Sequence, residues 1–458
     1  MNPLNKDLND IVMEAIHAVD PYQSIMAATS YEHGILKVRG GVFQSISHPR
    51  RPGDDTDFTF DTRRGNLYVV GAGKASSRMA MAVEEILGDT ITEGIIVTKY
   101  GYSKPLRRVR QIEAGHPVPD RKGIQGAKEI EKLLKKTGRD DLVLVIISGG
   151  GSSLLPYPVK GISLQDKQRV TELLLSCGAT IHEMNTIRKH LSGIKGGQLA
   201  KMAAPSHVLT FILSDVIGDD LSVIASGPTA PDESTFQDAL NILSFYDLLR
   251  KIPPHVLEHL QRGSKQEIEE TPSIEDPIFK RVYFRFIGSN QIALGAASQK
   301  AEKLGYQSLI LTNSVSGEAR EIVKFFSAIA RQAATIGQPI SPPACILSGG
   351  EPTVTLRGKG KGGRSQEFAL AAGLEIDGLP DTLIASIGTD GTDGPTDAAG
   401  GYADGKMLQK AREKHLNAHD FLTQNNAYPF LKQLGYLIKT GPTGTNVMDI
   451  QIILCKKT

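Results

Sequence analysis

The sequence predicts an α/β protein with mostly parallel sheets, arranged as two domains around an interdomain cleft. Three observations carry that prediction. Continuous apolar runs such as LVLVII (Leu142–Ile147) lack polar alternation, as strands buried on both faces of a parallel sheet do. These runs alternate with segments of helical period along most of the chain. Glycine, at 47 of 458 residues, exceeds its usual share of about 7% and gathers just after the apolar runs, where backbone must approach something closely. A chain this long exceeds one ordinary core, so two domains are expected.

The elements follow in order. An amphipathic helix covers Ile11 to Ala18 and ends at Asp20-Pro21, because a residue before proline avoids the helical region. A polar stretch, His48–Arg64, leads into the first buried strand, which starts at Leu67. A helix from Ser76 to Leu87 carries Met79, Val83, Ile86 and Leu87 on one face. Strands follow at Gly94–Thr98, Leu142–Ser148 and His207–Ser214, with helices at Gly126–Lys136, Gln165–Cys177, Ile181–His190 and Gln198–Ala204. Arg262–Lys280 is rich in Gln, Glu, Ser and Pro and lacks periodicity, which marks it as the linker between domains 1–261 and 281–458. The second domain then reads as strands Tyr283–Ile287, Ser308–Leu311, Ala344–Leu347, Thr382–Ile387 and Asp449–Leu454. Helices at Gln291–Leu304, Glu318–Ala334 and Gln366–Leu374 lie between them.

Composition narrows the function. A net charge of +2 argues against a surface that coats nucleic acid or a polybasic membrane anchor. No apolar run approaches the about 20 residues that span a bilayer, and the first residues lack the apolar region of a signal peptide. Cys177, Cys345 and Cys455 are odd in number, far apart and not spaced as metal ligands. A reducing compartment fits them best, so the expected location is the cytoplasm. The sequence is compatible with a homodimer.

In open α/β sheets, ligands sit beyond the carboxyl ends of strands, and here those ends carry unusual loops. LYVVGAGKAS (Leu67–Ser76) runs from a buried strand through a Gly loop with one lysine into a helix. Backbone N–H groups and the positive helix end gather there, and Lys74 adds a full charge, so the loop suits a phosphate or carboxylate. The P-loop spacing fails at Tyr68 and Ala75. The dinucleotide fingerprint fits Gly71 and Gly73 but meets Ser76 at its third glycine. A tight turn bearing a solvated lysine is the plainer reading.

SGGGSS (Ser148–Ser153) follows the next buried strand. Its glycines, Gly149, Gly150 and Gly151, free N–H groups to curl round an oxyanion, and Ser148 and Ser152 can add hydroxyl bonds. A serine-hydrolase elbow would need Gly where Leu154 stands. At the end of the helix Ile181–His190, Arg188, Lys189 and Lys195 can clamp an anion or simply complement the helix dipole. Asp215 ends a strand, where a carboxylate can hold Mg²⁺ or take a proton from a hydroxyl.

In the second half, six Gly and Lys residues that include Gly362 and Gly363 precede Arg364, just where a helix opens. A guanidinium there is placed to fork onto a phosphoryl group or carboxylate. The segment Ile387–Ala398 supplies Asp390, Asp393 and Asp397. The spacing is not that of an EF-hand; Asx turns explain some of these aspartates and an oxygen-ligand Mg²⁺ site explains their clustering. Anion cradles and carboxylates on two domains together suit phosphoryl transfer, which needs mainly positioning and charge neutralisation.

The chain resembles the class II glycerate 2-kinases, whose C-terminal half is called the MOFRL domain. The resemblance is carried by VGAGKA (Val70–Ala75), AGHPVPD (Ala114–Asp120), SGGGSS (Ser148–Ser153), Asn185 through Gly197, LSDVIGD (Leu213–Asp219) and ASGP (Ala225–Pro228). It continues through GGRSQE (Gly362–Glu367), GTDGTDGPTDAAG (Gly388–Gly400) and GPTGTN (Gly441–Asn446). It implies a Rossmann-like N-terminal domain and a MOFRL-type C-terminal one, with ATP- and Mg²⁺-dependent phosphorylation of D-glycerate to 2-phosphoglycerate. The family's essential lysine and arginine fall on Lys74 and Arg364. Ser365 stands where the family often has Asn.

Some relatives carry the label hydroxypyruvate reductase, the main alternative, against which the missing third glycine counts. A non-catalytic sugar-acid sensor is a third reading, and it would not need Lys74, Arg364 and the carboxylates together. On the kinase reading, Ser148–Ser152 with Arg188 and Lys189 bind the substrate, and Gly71, Gly73, Gly362 and Gly363 line the nucleotide. Asp390 and Asp393 take the metal, and Lys74, Arg364 and Asp215 act in catalysis.

Overall fold

The computed structural model of the chain describes residues 3–44 and 56–456. Of the polar stretch His48–Arg64, residues 48–55 therefore lie outside the described residues, while Thr56–Asp61 is a strand. The chain forms two compact units. One comprises Pro21–Ser214 and Asp219–Ile287; the other takes the residues up to Asp20, Asp215–Gly218 and those from Gly288 onward.

The first unit is built on a nine-stranded sheet. Its centre is five parallel strands, which in chain order are Leu67–Ala72, Ile91–Lys99, Val109–Ala114, Leu142–Ile147 and His207–Leu213. In space they lie in the order fifth, fourth, first, second, third, so the direction of winding reverses between Leu67–Ala72 and Leu142–Ile147. Both of these strands are buried along their whole length, as their unbroken apolar composition requires. The reversal leaves a crevice at their carboxyl ends, where this class of sheet binds ligands. The loops opening there are Gly73-Lys74 and Ser148–Gly151.

The outer part of this sheet departs from expectation. The strand read from sequence as Tyr283–Ile287, the first of the second domain, spans Val282–Gly288 and joins the first sheet. It runs antiparallel to Ile35–Gln44, with Val42, Phe43 and Gln44 opposite Arg285, Phe284 and Tyr283. The stretch Arg262–Lys280 also packs within this unit instead of forming a free linker. Thr271 Oγ1 donates to Asp232 Oδ2 at 3.0 Å, and Glu270 accepts the Phe236 N–H at 2.9 Å. Its polar residues are spent on hydrogen bonds to the fold, which composition alone does not reveal.

The second unit has a six-stranded sheet in the order Gln307–Glu318, Ala344–Thr353, Asp449–Cys455, Thr382–Gly388, Gly400–Asp404, Leu437–Ile438. Only the first pair is parallel; the other four pairings are antiparallel. The expectation of a mostly parallel sheet holds for the centre of the first sheet and not for this one. An apolar run shows that both faces are covered, and it says nothing of strand direction. The N-terminal helix Pro3–Ala18 belongs to this unit. It buries Leu4, Leu8, Ile11, Val12, Ala15 and Ile16 as one stripe, and Asp7 accepts from Tyr306 Oη at 2.6 Å. Among the described residues no helix is long and apolar enough to cross a membrane.

Candidate active site

In the first unit the site begins at Gly73. Its φ of +147° lies where L side chains rarely go, and a Cβ there would fall 2.0 Å from Ser148 Oγ. That hydroxyl accepts the Ala75 N–H at 3.0 Å, and the Lys74 N–H donates to Gly149 O at 2.9 Å. The two glycine loops are thus laced together. Gly73→Ala should cost several kcal/mol through strain and overlap, read as a Tm lowered by several degrees or more; an unchanged Tm would contradict this account. Gly71 has a different reason: a Cβ would meet Ile146 O at 2.0 Å, so it is glycine because the neighbouring strand is close.

The Lys74 side chain is half-buried, and its ammonium makes no hydrogen bond or ion pair among the described residues. Gly150 brings it together with His116. At φ +84°, a Cβ on Gly150 would lie 2.9 Å from His116 Nε2 and 3.5 Å from Lys74 Cε. Burial, then the charges of Lys74 and Lys99, hold the His116 imidazole below its ordinary pKa, so it is neutral at pH 7. Sequence reasoning quoted His116 only within AGHPVPD and gave it no role; the signal available was a lone histidine before a proline.

The serine loop leads on to a second group of cations. Lys195 is buried and donates to Ser152 O at 2.7 Å and Ser152 Oγ at 2.9 Å. Ser152 Oγ lies 2.9 Å from Ser226 Oγ, which donates to Asn185 Oδ1 at 2.9 Å. Arg188 is half-buried and has no hydrogen bond or ion pair among the described residues. Lys189 differs. Its Nζ lies 3.1 Å from Asp232 Oδ1, both side chains are almost fully buried, and Asp232 also accepts from Ser234 and Thr271.

Of the two cations expected to clamp substrate, then, Arg188 is unpaired and Lys189 is neutralised by the fold. Lys189→Ala leaves a buried carboxylate uncompensated and should destabilise by about 3–5 kcal/mol. A variant with unchanged Tm but raised KM for substrate would return Lys189 to the binding site.

In the second unit Arg364 opens the helix Arg364–Glu375 beside a cavity of about 650 Å³. Its Nε and Nη2 fork onto Asp449 at 2.6 and 2.9 Å, and Nη1 donates to Glu351 at 2.7 Å. Burial pushes the Asp449 carboxyl up to about 6 even though the guanidinium pulls it down, so the pair is ionised at neutral pH. Glu351, Asp390, Asp449 and Ile217 line the same cavity. Ile217 belongs to the short segment that begins at Asp215, which is half-buried just past the strand His207–Leu213.

Asp393 has another task. Its two carboxylate oxygens accept the N–H groups of Ser365 (3.2 Å) and Gln366 (2.8 Å), which caps the helix that carries Arg364. Burial raises its carboxyl to about 7, against the pull of those N–H groups. Gly363 is glycine because a Cβ would lie 2.2 Å from Asp393 Oδ1. Gly362 carries no such constraint: a Cβ there would meet Ala427 only at 3.4 Å.

Asp390 uses one oxygen, Oδ1, for the Thr392 N–H and hydroxyl, and Oδ2 has no hydrogen bond among the described residues. No group of three His, Cys, Asp or Glu side chains among the described residues is spaced to enclose a metal ion. Mg²⁺ in phosphoryl-transfer sites needs only one or two carboxylates beside phosphate and water, and Asp390 fits that role.

Comparison with known proteins identifies the family. A domain of unknown function, DUF4147, matches residues 7–261, and the MOFRL family matches 344–449. The chain is 44% identical to the glycerate 2-kinase of Pyrococcus horikoshii, over 97% of this chain and 96% of that one. It is 43% identical to a putative hydroxypyruvate reductase of Agrobacterium vitis, over 85% and 99%. The crystal structure of glycerate kinase from Thermotoga maritima superposes with a TM-score of 0.86 at 37% identity, covering 99% of this chain and all of that one. With both domains matched in order and relatives alike over nearly the whole length, this chain belongs to the class II glycerate 2-kinase family.

Proposed function

We propose that the chain transfers the γ-phosphoryl group of ATP to the C2 hydroxyl of D-glycerate, giving 2-phosphoglycerate and ADP. The observation that carries the reading is Lys74, an unpaired, half-buried ammonium on a phosphate-type loop at the sheet's switch point. The C2 oxygen attacks phosphorus, its proton passes to a base, and the bond from phosphorus to the β,γ-bridging oxygen breaks. Charge spreads over the equatorial oxygens of the transferring group, and positioned cations stabilise it.

Lys74 and Arg364 supply that positive charge. Asp215 is the proton acceptor, Ser148–Ser152 and Arg188 hold the glycerate, and Gly73 and Gly362 border the nucleotide. Asp390 would hold Mg²⁺, which when bound would supply Lewis-acid neutralisation of charge on the triphosphate. The reductase reading is disfavoured by Ser76. It stands where the dinucleotide fingerprint has its third glycine, and its buried hydroxyl is engaged with Gly73 O at 2.8 Å.

A ³¹P NMR time course with D-glycerate, ATP and Mg²⁺ tests the proposal. The expected result is a 2-phosphoglycerate resonance that grows as ATP falls, and stops growing when EDTA is added. A resonance of 3-phosphoglycerate would overturn the regiochemistry. No phosphorylated product, together with NADH oxidation by hydroxypyruvate, would overturn the kinase reading. Asp215→Asn should lose most turnover while folding normally; full turnover would rule out the proton-acceptor role.

A further inference from the structure

We infer that Lys167, Arg188 and Lys195 form the seat of the substrate carboxylate, with the ligand itself supplying the counter-charge that the fold omits. The inference rests on the glycerate reading and adds Lys167 and Lys195 to it. Lys167 comes from the helix Leu164–Ser176, Arg188 from Ile181–His190, and Lys195 from the turn that follows. Lys167 is buried and its Nζ makes one bond, to Leu191 O at 3.0 Å. Lys195 is buried and spends its bonds on Ser152.

An ammonium has three donors and a guanidinium five, so Lys167 and Arg188 in particular hold donors with no protein acceptor. Among the described residues none of the three cations has a carboxylate within ion-pair distance. Buried charges are ordinarily paired. Lys189, on the same helix as Arg188, is paired with Asp232. Where this fold wants a buried lysine neutralised it provides the aspartate; for Lys167, Arg188 and Lys195 it does not.

The electrostatics agree. Lys167 is pushed down to about 7 by burial and then by Arg188. Lys195 is held well below its ordinary value by burial, Lys167 and Arg188. No other charged group acts appreciably on either lysine. A carboxylate arriving among them reverses the penalty, so a lysine that is largely neutral at pH 8 takes up a proton as the ligand binds. The seat therefore selects small carboxylates over uncharged polyols of the same size, and affinity falls as pH rises from about 7 to 9.

The test is calorimetric titration of D-glycerate into the full chain at pH 8, in buffers of low and high ionisation enthalpy. Proton uptake makes the observed enthalpy differ between the buffers, and glycerol should give no binding. Arg188→Gln should weaken glycerate at least tenfold and leave ATP binding within twofold. Lys167→Gln, which can still donate to Leu191 O, should lose most of the proton uptake. Buffer-independent heats, together with an Arg188→Gln variant that binds glycerate normally, would overturn the seat. So would loss of ATP binding in its place. These outcomes are separate from the kinase reading, which stands or falls on whether the wild-type protein forms 2-phosphoglycerate.

Discussion

Lys74→Ala is expected to lower kcat by about 10²–10³, the loss that follows removal of one preorganised charged donor, while KM for glycerate and Tm change little. The unchanged Tm follows from the structure. The Lys74 ammonium has no partner among the described residues, so its removal orphans no buried carboxylate. What holds the loop, the Lys74 N–H to Gly149 O and the Ala75 N–H to Ser148 Oγ, involves no atom of the Lys74 side chain and survives the change. An effect confined to kcat would place the contact in the transition state, and one confined to KM would make it uniform binding. Activity within threefold of wild type would remove Lys74 from the mechanism. Steady-state kinetics beside thermal unfolding separates these cases, and Lys189→Ala, which should unfold early, is the internal contrast.

The first strand–loop–helix unit was legible because its signal is local. A buried strand, two glycines, a lysine and a helix start occupy ten consecutive residues, and the parallel order of the strands then places them at the switch point. The serine loop was legible for the same reason. Strand partners were not. Val282–Gly288 looks like any other apolar strand, and its pairing with Ile35–Gln44 joins segments more than 230 residues apart. The surroundings of Arg188 and Lys189 were equally hidden. Adjacent residues on one helix face different surroundings, and only the position of Asp232, far along the chain, decides which cation is left unpaired. Asp449 was read as the first residue of a closing strand. Its contact with Arg364 depends on that strand entering between Ala344–Thr353 and Thr382–Gly388, which sets Asp449 opposite Gly350 and Gly388, where there is room for Arg364 to reach it.

That placement makes Arg364→Lys far from conservative. The guanidinium meets Asp449 with two parallel N–H bonds and Glu351 with a third, and its remaining donors are available to a ligand in the cavity it lines. A lysine ammonium keeps the charge but has three donors from a single point, so it cannot fork onto Asp449, hold Glu351 and reach a phosphoryl oxygen together. The expected loss in kcat is about 10²-fold. Asp449→Asn should come close to it, because the amide presents a donor where the guanidinium needs an acceptor and the arginine loses its hold. The pH dependence follows from the same contact. Asp449 is ionised at pH 7 and protonates as pH falls through about 6, releasing one side of the fork. Wild-type kcat should therefore decline on the acid side with a midpoint near 6, and the Asp449→Asn variant, already slow, should lack that limb. A variant that keeps the wild-type acid limb would show that another group titrates there. Full activity in Arg364→Lys would show that Arg364 contributes only background potential.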